Sequence, residues 1–402
     1  MKFNKTILAA ALCLGVAGAS NASDVYLSGS TAMRGNVYNA LSVAGPTNVF
    51  SSITSITTWG NVKASSANYM DFVGVLNGNV GQTTIHCSWS GSEAGIANVA
   101  NSYGTFAKAL YSTSAEGTGL TNNAPATTAH VTDLAMADND QKYSRTLTPP
   151  LTGTNVAIIT FEWLRNPGWF TGTNVTDAQI QSALGGICKL AVFSGNAADT
   201  NTYVYVSGRG NDSGTRVNAF GNTGFGIFNA PFQIELGAGQ MVPASDGGYA
   251  EDWGFASGGT LAGTLGNYYT TNSPDLANYY DKDGNYITNT AGFSVIAYLG
   301  YNDAQTALGL NPPAVLCSFN GVPISANNIA EGTYTFWGNE YIYKNGSSSD
   351  TDVPKVYNLL QTTIPLTCYP NTFNGTAASL NGIAKSFMHC TRSGPLTAPG
   401  HN

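Results

Sequence analysis

Three short segments carry Ser, Thr and Gly in a pattern suited to holding an anion. They are Ser28-Gly-Ser-Thr-Ala32, Ser90-Gly-Ser-Glu-Ala-Gly95 and Arg209-Gly-Asn-Asp-Ser-Gly-Thr215. Each precedes a stretch that reads as a helix. A helix N-terminus offers unpaired backbone N–H groups and a partial positive charge. Small residues let an anion approach, and hydroxyls add donors. The competing reading is capping, because Ser and Thr satisfy the same N–H groups without any ligand. Three such segments in one chain, one of them with Arg209, favour an oxyanion site.

Other chemistry has less support. No segment matches G-x-x-x-x-G-K-[ST], and Gly208-x-Gly210 lacks the third Gly of a dinucleotide loop. There is no G-x-S-x-G elbow. His86, His130, His389 and His401 show no metal-ligand spacing and read as ordinary polar residues. No two carboxylates stand four apart on a helix as an acid pair. The expectation is a binding protein and not an enzyme, with no metal and no other cofactor.

The chain around these segments has 402 residues, which predicts two or three domains. Its 43% hydrophobic content suffices for packed cores. Only 10% is charged, and 16 Lys and Arg against 23 Asp and Glu give a net charge of −7. That balance argues against nucleic-acid binding, which needs a basic face to release counterions. It argues equally against a polybasic membrane-surface binder. The 47 glycines, with abundant Ser, Thr, Asn and Tyr, suit an exported protein.

Lys2 and Lys5, the apolar run from Ile7 to Ala19, and Ser20 and Ala22 before a cleavage point read as a bacterial secretory signal peptide over residues 1–22. The run is too short to span a bilayer. Leu12 is too large to precede a lipid-modified Cys13. No later stretch reaches about 18 unbroken apolar residues, so a soluble periplasmic chain is expected. Cys87, Cys188, Cys317, Cys368 and Cys390 remain after cleavage, with no C-x-x-C pair. In an oxidising compartment disulfides form. Cys368 and Cys390 are nearest in sequence and are the expected pair. The odd count leaves at least one thiol free or intermolecular.

The anion segments must be held by regular elements. Val25 to Leu27 reads as a strand, followed by a Gly-rich turn and a helix from Ala32 to Leu41. Val156 to Phe161 and Val295 to Leu299 read as buried strands. Thr176 caps a helix through Leu184, with Asp177 in its first turn. Tyr203 to Val206 is a strand that leads through Arg209 into another helix. Alternating strands and helices predict an α/β fold with mostly parallel strands. Polar stretches from Thr113 to Thr128 and from Asn267 to Thr290 read as surface insertions. The second contains Asp281-Lys-Asp-Gly-Asn285, whose Gly is misplaced for an EF-hand loop. A hairpin turn at Asp283-Gly284 is expected there.

The run from Val204 to Thr215 resembles the signature of the phosphate-binding proteins of ABC-type phosphate uptake, a type II periplasmic-binding-protein family. There an Arg four residues before Ser-Gly-Thr grips the anion. Gly29 to Ala32 resembles the family's first anion loop, and Gly91 to Ile96 its second. Thr132 to Asp138 resembles the stretch whose last Asp accepts a proton from phosphate. Ile180 to Leu190 resembles the helix before the signature. Ala291 to Gly300 and Gly332 to Trp337 resemble late strands. The ordered blocks span nearly the whole mature chain. Asn211 departs from the pattern, which has an acid there, and leaves open what orients Arg209. Ala32 replaces a bulkier residue at a position that contributes chiefly its backbone N–H. Neither insertion has a counterpart.

The resemblance implies two α/β lobes with a central ligand cleft, residues 23–149 and 331–402 forming one lobe and 150–330 the other. The chain would cross near Val156 and Tyr334. Phosphate would be bound by Thr31, Ala32, Ser92 and Asp138 from the first lobe. Arg209, Ser213, Gly214 and Thr215 would bind it from the second. The implied role is a periplasmic receptor that delivers phosphate to the membrane subunits of an ABC transporter. The alternative is a secreted structural or surface-assembly protein that reuses the fold and self-associates. The low charge, Gly/Asn/Thr/Tyr content, insertions and odd cysteine motivate it. Fold alone does not choose between these roles.

Overall fold

The computed structural model describes residues 23–114, 123–168, 170–186, 188–237, 240–243, 254–267, 278–280, 286–288 and 293–401. The expected leader, the Asp281–Asn285 turn and parts of both insertions lie outside them.

The chain opens with β1 (Ser23–Gly29), α1 (Arg34–Leu41), β2 (Phe50–Trp59), β3 (Tyr69–Leu76), β4 (Gln82–Ser88) and α2 (Ser92–Val99). Then come β5 (Leu134–Ala137), the long β6 (Thr152–Arg165), α3 (Asp177–Leu184), β7 (Tyr203–Ser207) and α4 (Gly214–Asn222). After these run β8 (Phe293–Gly300), α5 (Tyr301–Leu308), β9 (Trp337–Lys344) and α6 (Asp352–Thr363). The anticipated strands and helices are present except the late strand expected over Gly332 to Trp337, where the chain turns and strand begins only at Trp337; the class is α/β. The Thr176 cap is a full capping box, with Gln179 returning a bond to the Thr176 backbone.

Among these strands, the main sheet has the order β2-β3-β4-β1-β5-β9-β6-β8-β7. β6 belongs to both of its halves. Residues 152–160 pair with β9, and 161–165 pair with β8. Val156 through Leu164 are all buried, which explains their nearly unbroken apolar sequence. The chain returns past Tyr334, whose hydroxyl donates to the Phe161 carbonyl at 2.7 Å.

The sheet is not mostly parallel, contrary to expectation. Only β1–β4, β1–β5 and β7–β8 are parallel among these strands. β2, β3 and β4 form an antiparallel meander, because their short connections leave no room for a crossover helix. β6 and β9 also run antiparallel to their neighbours.

One apolar core joins Val25 and Leu27 of β1, Val37 and Leu41 of α1, Ile158 and Trp163 of β6, and Val356 and Leu360 of α6. A second packs Tyr205 of β7 and Val295 and Leu299 of β8 against Leu261, Leu265 and Ala304.

The Cys368–Cys390 bond is not formed. All five described cysteines are free and buried. The Cys368 thiol donates to the Ile364 carbonyl at 3.3 Å, and the Cys390 thiol lies against the Ile329 carbonyl. Closeness in sequence does not bring their Sγ atoms together, because each is packed against a different backbone segment. No described thiol is exposed for an intermolecular bond.

Candidate functional site

β1, β4 and β5 are adjacent and parallel, so their C-terminal ends point the same way and deliver three loops to one place. In open α/β sheets the crevice beyond such ends is where ligands bind. β7, in the other half of the sheet, delivers a fourth loop opposite them. Each loop opens or precedes a helix, except the one carrying Asp138.

The first loop begins at Gly29, whose φ is +111° and whose α-hydrogen faces the Met136 carbonyl. Any side chain there would collide with β5. Ser30 is fully buried. Its hydroxyl donates to the Asp138 carboxylate and accepts from the Met33 amide at 3.0 Å. Thr31 Oγ1 accepts from Arg209 Nη2 at 3.3 Å. Ala32 is buried, and its carbonyl accepts from Asn381 at 3.0 Å.

In the second loop, Ser90 bonds Ser28 at 2.9 Å and locks it to the first. Ser92 Oγ accepts from the Asp138 amide at 3.0 Å. That leaves the Ser92 hydroxyl hydrogen to donate elsewhere. The Glu93 amide donates across the seam to the Asp212 carbonyl at 3.0 Å.

From the opposite half, Arg209 is 1% exposed. Its Nε donates to Phe255 O at 2.9 Å and its Nη2 to Ala256 O at 2.7 Å. Its own amide donates to the Tyr298 hydroxyl at 3.0 Å. These carbonyls orient Arg209 where the sequence offered no acid at 211. Ser213 caps α4 by accepting from the Arg216 amide at 3.4 Å. Thr215 Oγ1 donates to Asp138 Oδ2 at 3.4 Å. Gly214 marks a tight approach across the seam: a Cβ there would lie 2.4 Å from Ser92 Oγ and 2.8 Å from Asp138 Cβ.

The eight predicted residues therefore gather at one seam, though with unequal roles. Arg209 bonds Thr31, while Ser92 and Thr215 each bond Asp138. Gly214 contributes closeness. Ser213 uses one lone pair as a cap. Ala32 contributes only backbone and sits against Gly300.

Burial raises the Asp138 carboxyl above its ordinary range, while the Ser30 hydroxyl, Glu340, Arg209 and Ser92 pull it back. Burial lifts Asp212 to about 6 against the charges of Arg209 and Arg216. Burial lowers Arg34 to about 10, opposed by Asp303. Asp303 is raised by burial and steadied by Arg34 and Arg209. A small cavity of about 20 Å³, lined by Thr31, Arg34, Gly300 and Asp303 among others, borders the site. A larger groove of about 400 Å³, including Asn39, Lys63 and Phe373, contains none of the eight residues.

Several participants escaped the sequence reading. Ser30 stands inside the first anion segment, where the family resemblance points to its neighbour Thr31. Asn218, one turn into α4, donates to the Asp138 carbonyl at 2.9 Å. Glu340 of β9 is fully buried beside Asp138. An acid within a strand otherwise rich in Trp, Tyr and Ile was the available signal. Asp303 and the Phe255 and Ala256 carbonyls had none. No group of three or more His, Cys, Asp or Glu suited to a metal exists among the described residues.

No family model and no curated protein matches the sequence. Among solved structures, the chain is similar to an ABC-type phosphate transport receptor from Vibrio cholerae at 13% identity and a TM-score of 0.42, covering 84% of this chain and 93% of that one. It is also similar to a phosphate-binding protein from Stenotrophomonas maltophilia at 11% identity and a TM-score of 0.43, covering 90% of each chain. Likenesses this distant carry no argument about function.

Proposed function

We propose that this chain is an exported phosphate-binding protein without catalytic activity, working in the periplasm as the substrate-binding component of an ABC transporter. Residues 23–149 and 331–402 form one lobe and residues 150–330 the other. Arg209 supplies the cation, and its planar guanidinium suits two oxygens of an oxyanion. The hydroxyls of Thr31, Ser92 and Ser213, with the amides near Ala32 and Gly214, saturate the remaining oxygens, and the Thr215 hydroxyl turns from Asp138 to the ligand when it binds. Each helix N-terminus adds roughly 0.3–2 kcal/mol for an anion. Together with the Arg and hydroxyls these suffice for micromolar binding, about −8 kcal/mol.

The observation that carries the reading is the Asp138 carboxylate among these donors. A carboxylate repels an oxyanion unless the ligand brings a proton to share. Phosphate near neutral pH brings one and sulfate does not, so repulsion supplies the selectivity.

Calorimetric titration of the full mature chain with phosphate and sulfate tests this, on the parent and on Asp138→Asn. One phosphate per chain at micromolar affinity is expected, with sulfate binding rising relative to phosphate in the variant, whose amide can donate. No heat at millimolar phosphate overturns the receptor role. An unchanged phosphate-to-sulfate ratio removes Asp138 from the ligand.

A further inference from the structure

We infer that Glu340 is the proton-bearing partner of Asp138 and sets the specificity of the oxyanion site by keeping Asp138 ionised. The specificity half of this inference rests on the phosphate reading above, and the proton half does not.

The placement follows from register. β9 runs antiparallel to β5, with Ile342 opposite Met136 and Tyr341 opposite Ala137. One step further along, that register carries Glu340 toward Asp138, and the two carboxyls interact directly. Directly opposed like charges destabilise a sheet. Glu340 is 0% exposed and Asp138 2% exposed, so water does not screen the pair. Two ionised carboxylates this close and this buried cannot coexist, and one must hold a proton.

The surroundings decide which. Asp138 accepts from Ser30 and Thr215, and Arg209 stabilises its charge. Neither oxygen of Glu340 has a hydrogen bond of ordinary geometry. The titratable groups near Glu340 are Asp138 and, from the segment after α6, the Cys368 thiol. Among the described residues no Lys or Arg offsets its charge. The proton therefore resides on Glu340, whose O–H can be donated to Asp138. Burial, and then Asp138, push the Glu340 carboxyl well above its ordinary range, in the same direction. Asp138, so supported, keeps an oxygen lone pair for a ligand O–H. An anion without a proton meets a fixed negative charge.

Infrared spectra of the full chain at neutral pH, without added anion, test the proton's location. Glu340→Gln is expected to lose a protonated-carboxyl carbonyl band that the parent and Asp138→Asn retain. The inference is overturned if Glu340→Gln loses no such band, or if Asp138→Asn loses it instead.

Competition titrations with phosphate and sulfate then test the consequence. Glu340→Gln, whose amide donates as the acid does, should keep the phosphate preference. Glu340→Ala removes the donor and lets Asp138 take up a proton, so the preference should fall about tenfold for each pKa unit gained. An unchanged preference in Glu340→Ala refutes the specificity role. If phosphate does not bind the parent at all, the phosphate reading fails, and the infrared result still decides the proton.

Discussion

Replacing Gly214 with Ala tests whether the seam between the two halves of the sheet is the binding site. Gly214 opens α4 and has no positive φ, so its backbone accepts Ala without strain. Within the helix alone, Ala is favoured over Gly by at most about 0.5–1 kcal/mol. The added methyl nevertheless meets Ser92 Oγ at 2.4 Å, Ser92 Cβ at 2.7 Å and Asp138 Cβ at 2.8 Å. Overpacking of this kind costs about 1–3 kcal/mol. Its location decides where that cost falls. Ser92 opens α2 and Asp138 follows β5 in one half, while Gly214 opens α4 in the other, so parting the halves would relieve the contact. The free protein should keep or slightly raise its melting temperature. If the seam holds phosphate as proposed, phosphate should bind about 5- to 150-fold more weakly, the equivalent of the same 1–3 kcal/mol. Calorimetry and thermal melting on the same samples separate the two. A melting temperature lowered by several degrees with phosphate affinity unchanged would refute the argument, because the contact would then be a fixed part of the core.

Three further outcomes follow from other parts of the molecule. Arg209→Ala removes a buried cation that bridges Thr31 and the Phe255 and Ala256 carbonyls. At about 1.5–3 kcal/mol for a charged hydrogen bond, phosphate affinity should fall at least tenfold by titration. Burial opposes a charge on His86, but its bonds to Asp71 at 2.9 Å and Asp24 at 3.5 Å hold its pKa above the ordinary value. A raised folded pKa adds stability that is complete below about pH 6.5 and is lost as pH rises through the folded value. Urea unfolding across this window should show that loss in the parent and its absence in His86→Asn. Because the five described thiols are free, a reductant should leave the melting temperature unchanged, whereas breaking a native disulfide would cost about 2–5 kcal/mol.

The elements were legible where one residue's local chemistry decides the outcome. The Thr176 hydroxyl with Gln179 three residues on makes its helix start in any context. Val156 to Phe161, apolar at every position but Thr160, could only be a strand covered on both faces. Strand direction was not legible in the same way. It depends on what lies between strands, and β2 to β4 were not read as a meander because their Ser, Thr and Asn content masks the alternation. The disulfide expectation failed for a related reason. Compartment and sequence separation say that a bond is allowed, but only packing says whether two Sγ atoms meet.

The loops of the candidate site divide along the same line. Donors to an anion must be small, polar and placed at helix starts, so Thr31, Ser92, Ser213 and Thr215 advertise themselves in any such segment. Groups that orient or discharge the site have no preferred local pattern. Arg209 is aimed by two carbonyls some 46 residues further along the chain. Asp138 is opposed by Glu340, whose relevance depends on the register of β9 against β5. A buried acid in a strand of aromatic and aliphatic residues is nevertheless costly unless neutralised or paired. Such a residue is therefore a question the sequence poses, and only the cross-strand neighbour answers it. The same logic applies to Glu162 of β6, which burial lifts to about 7 with only the Gln305 amide to oppose it. Its partner lies on α5, a separation of 143 residues that no local motif reports.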